Sequence, residues 1–92
     1  NIKGILQMDI ISYSTEYSNN DAYRVECLTE RDGDQVLLSL TVDSETGIGT
    51  LKRSGKGFSP TYETLCKDKT KMLENLIELQ ATKHKVNHTT IQ

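Results

Sequence analysis

The chain has 92 residues, 35% hydrophobic and 26% charged, which is the composition of one small globular domain, so disorder is not the default. The net charge of −2 argues against a dedicated nucleic-acid binder, which carries a basic footprint. No apolar run approaches the roughly 18 residues a membrane helix needs, since the longest is Val36-Leu37-Leu38.

With four Tyr, one Phe and no Trp, the core has to come from Leu, Ile and Val. Cys27 and Cys66 are too few for a stapled secreted scaffold and are expected as free thiols in a reducing compartment. Nothing at the start reads as a signal peptide, so an intracellular protein, cytoplasmic or nuclear, is expected. Asn1 in place of Met reads as a processed chain or a domain taken from a longer one.

In chain order, residues 5–13 read as a first strand. Leu6, Met8 and Ile10 share one face, Gln7 and Asp9 the other, with Ile5 and Ile11 at the ends. Residues 14–21 are a polar loop. Residues 22–30 form a second strand, with Tyr23, Val25 and Cys27 opposite Arg24 and Glu26. Asp32-Gly33 is a two-residue hairpin signal, because a type I′ turn needs positive φ at both positions. Residues 35–43 are the central strand: Val36, Leu38, Leu40 and Val42 alternate with Leu37, Ser39 and Thr41. Because Leu37 is also apolar, this strand should have strands on both sides and a helix over one face. A turn ending at Gly47 leads to a weaker edge strand over 48–53.

Residues 54–58 read as a link. Ser59 reads as an N-cap with Pro60 at the first helical position, opening a helix over 59–84. Its stripe is Tyr62, Leu65, Cys66, Met72, Leu73, Leu76, Ile77 and Gln80, interrupted by the charged run 67–71. The alternative is a short helix followed by a second one capped by Asp68. Residues 85–92 read as a frayed tail. The expected architecture is α+β: a four-stranded antiparallel meander with a C-terminal helix on one face.

Few residues of the chain carry the spacing of a chemical site. The glycine-rich stretch 47–57 fails the Walker spacing, and Lys52 stands where a dinucleotide loop needs its third glycine. Lys52, Arg53 and Lys56 lie beside the expected helix start, with Lys67 and Lys71 one turn apart behind them. Together they form the candidate basic patch for an anion. His84 and His88 have metal-ligand spacing on a helix, but Cys66 would lie about 27 Å away along a continuous helix, and no further ligand is at hand. Asn87-His88-Thr89 is a sequon that matters only in a secreted chain. No nucleophile, base and carboxylate converge, so no catalytic, cofactor or metal residue is assigned and the protein is expected not to be an enzyme. What remains is surplus apolar surface: Ile5, Ile11 and Tyr13 of the first strand, Leu37 of the central one, and the solvent side of the helix.

The order of these elements resembles a known family. An apolar strand (Ile5–Tyr13) and a polar loop lead to the strand Tyr23-Arg-Val-Glu-Cys-Leu28. An Asp-Gly turn, the strand Val36-Leu-Leu-Ser-Leu-Thr-Val42, a glycine-marked weak strand and a C-terminal helix follow. This is similar to the RWD-like globular heads of coiled-coil kinetochore proteins, over residues 5 to about 84. The Tyr-Pro motif of standard RWD domains and the helix before the first strand are missing. The resemblance implies a head that forms a homodimer or heterodimer and docks other proteins. The leading expectation is therefore a protein-interaction module. The runners-up are a nucleic-acid-associated protein using the basic patch and a small viral or bacterial inhibitor-type binder.

Overall fold

A computed structural model describes residues 9–17, 22–83 and 88–91. Among these, the chain runs β1 (Asp9–Tyr17), β2 (Ala22–Arg31), β3 (Asp34–Asp43), β4 (Gly49–Gly55), β5 (Phe58–Leu65), α1 (Lys67–Lys83) and β6 (His88–Ile91). The strands form one sheet in the order β5-β4-β3-β2-β1-β6. The pairs from β1 to β5 are all antiparallel, and β6 lies parallel to β1.

Strand β3 is central, as its pattern requires. Leu38, Leu40 and Val42 are buried on the helix-covered face, opposite Cys27, Val25 and Tyr23 of β2. The β2–β3 hairpin turns at Asp32 (φ 53°) and Gly33 (φ 85°), the two positive angles of a type I′ turn. The β3–β4 turn is held by Asp43. Its side-chain Oδ1 accepts from the amides of Glu45 and Thr46, and its carbonyl accepts from Gly47 at 2.7 Å.

The expected four strands become five in the antiparallel meander. Residues 58–65, read as link and helix start, form β5 against β4, with Lys52 opposite Tyr62 and Arg53 opposite Thr61. Ser59-Pro60 is not a helix cap. Pro60 sits in an edge strand, where a missing N–H is tolerated. Tyr62 is accordingly exposed rather than part of a core stripe.

Three more expectations are corrected. The run Ser14-Thr-Glu-Tyr17, read as loop, continues β1 because Thr15 pairs with Val25 and is buried there. Residues 5–8, which include Ile5, Leu6 and Met8, lie outside the described residues. The tail is not uniformly frayed, since residues 88–91 pair with β1 from Tyr13 to Glu16.

The helix begins at Lys67, not Ser59; of the alternative, a helix starting near Asp68 is present, with Asp68 in its first turn rather than at its cap, but the short helix before it is strand β5. Its buried positions are Thr70, Leu73, Ile77, Gln80 and Ala81, the 3/4 spacing of one face. Thr70 replaces Cys66 and Met72, which are both exposed. Leu73 and Ile77 meet Ile10, Val25, Cys27, Leu38, Leu40, Val42, Leu51 and Leu65 in one cluster. Burying each of these two helix side chains contributes about 1.5–3 kcal/mol. Helix α1 thus carries the chain across one face of the sheet, from the β5 edge to the β6 edge, and leaves the other face open.

Candidate functional site

The cross-strand register sorts the sheet into two faces. The covered face carries the core. The open face is a lattice of three rows: Glu16, Arg24, Thr41, Thr50 and Thr64; Ser14, Glu26, Ser39, Lys52 and Tyr62; Ser12, Leu28, Leu37 and Ser54. It is mainly hydroxyl-bearing and charged, with Leu28 and Leu37 as an apolar pair at its β2–β3 hairpin end.

The expected interface residues do not form one row. Ile11 is the extra residue of a β-bulge between Ile10 and Ser12 and is 43% exposed. That inserted residue turns Tyr13 to the helix side, where it is half-buried against the core. Leu37 is 37% exposed on the opposite face, beside Leu28. Ile5 lies outside the described residues. Only Ile11 and Leu37 are open, and they are not neighbours.

A different apolar row is present. Met72 is 48% exposed and Leu79 is 61% exposed, with half-buried Leu76 between them. These are positions i, i+4 and i+7 of α1, on the side turned away from the sheet. Sequence reasoning placed Met72 and Leu76 in the core stripe and passed over Leu79. The signal was two interleaved apolar series in one helix, which a single stripe cannot hold.

The basic patch is also divided. Lys52 lies on the open face with its Nζ 5.9 Å from the centre of the Tyr62 ring, a cation–π contact. Arg53 points to the other face, with Nη1 3.4 Å from Glu63 Oε2. Lys56 is exposed in the β4–β5 turn, Lys67 extends its methylenes over Gly47, and Lys71 is exposed on α1. No single face gathers all five.

Titratable groups cluster near the β1–β2 end. The rings of Tyr17 and Tyr23 are 5.8 Å apart and tilted by 32°. Burial raises the Tyr23 phenol strongly, helped by its hydrogen bond to the Glu74 carboxylate on α1. Burial also raises Tyr13, followed by the Glu78 charge. On the open face Arg24 donates to Glu16 and lies 3.8 Å from Glu26. The Glu16 hydrogen bond holds its guanidinium more firmly protonated. A depression of about 170 Å³ lies among Glu16, Ala22, Tyr23, Arg24 and Thr41. That is below the 300 Å³ or so of a typical small-molecule site.

The thiols differ sharply. Cys27 is buried, and burial pushes its thiol up to about 12, far from a nucleophile. Cys66 is free and exposed just before α1. Among the described residues, no three His, Cys, Asp or Glu are grouped to hold a metal ion. The helix ends at Lys83 and His88 lies on β6, so the helical spacing read for His84 and His88 does not form; His84 itself lies outside the described residues. No described helix is long and apolar enough to cross a membrane. Comparison with family models, with curated proteins and with solved structures finds no match to this chain.

Proposed function

We propose that this domain is a non-enzymatic protein-interaction module, working inside the cell, that docks a like or unlike subunit through the outer row of α1. The observation that carries the reading is Leu79, which is 61% exposed one turn from Leu76 on a helix whose other side already serves the core. A fold that needs only one apolar side of its helix gains nothing from a second, and exposed apolar rows on small domains serve partners. The resemblance to RWD-like heads read in the sequence points the same way, although β5 interrupts the order it rests on, since those heads pair with each other or with a related subunit and dock kinetochore proteins. The divided cations speak against the nucleic-acid alternative.

The test is solution mass by light scattering after size exclusion, over a tenfold concentration range and at two salt levels, followed by capture with co-expressed neighbours. A dimer, or a defined complex, that is lost in Met72→Ser/Leu79→Ser is the expected result. A monomer at every concentration whose captured partners are unchanged by that double variant would remove the reading. An inhibitor-type binder would appear as one tight unlike partner.

A further inference from the structure

We propose that β5 is a second docking edge, which takes an acidic, extended segment of a partner protein as an added strand. This rests on the reading of the domain as an interaction module but uses a surface remote from the α1 row in function and chemistry.

Strand β5 is terminal in the sheet, and residues 59–64 are all exposed. A terminal strand presents backbone donors and acceptors that another extended chain can use. Natural edges are usually blunted by charge. Here Glu63 is the only charged side chain of β5, and Arg53 neutralises it at 3.4 Å. Pro60 and the register shift beside Gly55 blunt the start of β5, which confines the docking stretch to residues 61–65.

The two cations of β4 select the ligand. Lys52 reaches over Tyr62 on one face of β5, and Arg53 reaches Glu63 on the other. A strand added about 4.8 Å beyond β5 points its side chains alternately to both faces. Carboxylates in such a strand meet Lys52 on one side and, on the other, share the Arg53 guanidinium with Glu63. A phosphate backbone lying on one face meets only one of them, so the split that disfavours nucleic acid suits a polypeptide.

The wider charge agrees. Between residues 52 and 71 the chain holds Lys52, Arg53, Lys56, Lys67, Lys69 and Lys71 against Glu63 and Asp68, a net +4 in a protein of net −2. A second copy of this edge would bring like charges together, so the occupant is an unlike, acidic segment.

The test uses the whole chain labelled with ¹⁵N and an extended peptide alternating Glu with Val and Thr. Its Lys-for-Glu counterpart and a single-stranded oligonucleotide serve as competitors. The expected result is amide shifts confined to β5 and β4, binding that weakens about tenfold as salt screens the charges, and no binding of the Lys peptide. Lys52→Gln/Arg53→Gln should weaken the acidic peptide about tenfold, with the fold confirmed by circular dichroism. Met72→Ser/Leu79→Ser should leave it unchanged, which separates failure here from failure of the α1 docking reading. Absence of β5 shifts at millimolar peptide, or an oligonucleotide that produces the same shifts more tightly, would overturn the proposal.

Discussion

Thr70 stands directly on Gly49. A Cβ built on Gly49 would lie 2.7 Å from Thr70 Oγ1, 2.8 Å from its Cγ2 and 3.0 Å from Leu40 Cδ1. The Thr70 hydroxyl is held there by donating to the Cys66 carbonyl at 2.9 Å. This contact sets how closely α1 approaches β4.

Gly49→Ala should therefore destabilise the fold by about 1–3 kcal/mol, the usual cost of overpacking. Urea denaturation measures it. Thr70→Ala alone should also destabilise, but combining it with Gly49→Ala should recover part of the loss, because the two residues share one space. Strict additivity in that cycle would show that they do not meet.

Helix α1 should respond unequally on its two sides. Ile77→Ala should cost about 2–5 kcal/mol, as expected for a fully buried core position. Met72→Ser and Leu79→Ser should change stability by no more than about 0.5 kcal/mol each, as surface substitutions do. Thermal unfolding of the three variants checks the assignment of faces.

Thiol titration should separate the cysteines. Cys66 is exposed and should react with Ellman's reagent in the native protein. Cys27 is buried and should react only on unfolding. Two equally fast thiols would contradict the register of β2.

The same burial predicts alkaline instability. Cys27 moves from its ordinary value of 9.0 to about 12 in the folded state. Its contribution to stability is complete below pH 9. Above that, the unfolded thiol ionises while the folded one does not, so stability falls as pH rises from about 9 towards 12. Tyr13 and Tyr23, both raised above 10.0, add to the loss above pH 10. Cys27→Ala should flatten the part of the curve that begins near pH 9, although it lowers stability overall by leaving a small cavity. Denaturation midpoints between pH 7 and 11 test the sign.

The parts legible in the sequence are those where one period acts alone. Val36, Leu38, Leu40 and Val42 fix the inward face of β3, and Asp32-Gly33 fixes its hairpin, because both signals are local and unopposed. Strand β5 was hidden because Ser59-Pro60 serves a helix start and an edge strand equally well, and Tyr62 and Leu65 are three apart. The pairing with β4 decides between them, and that is a tertiary fact. The common face expected for Ile11 and Tyr13 is absent for a similar reason. Strict alternation cannot anticipate a bulge, and one inserted residue sends Tyr13 to the other face. Strand β6 is too short and polar to announce itself, and it exists by pairing with β1.

That last pairing bears on how the chain folds. The hairpins β1–β2, β2–β3, β3–β4 and β4–β5 each join neighbours in sequence, so closing them loses little chain entropy. Tyr13 and His88 lie almost at opposite ends of the chain, and pairing their strands closes a far longer loop than any hairpin. The expected order of events is hairpins first, helix docking second and β6 last. Strand β6 should be a latch that closes late and opens first. Hydrogen exchange at its amides should report partial openings far more frequent than those of β3.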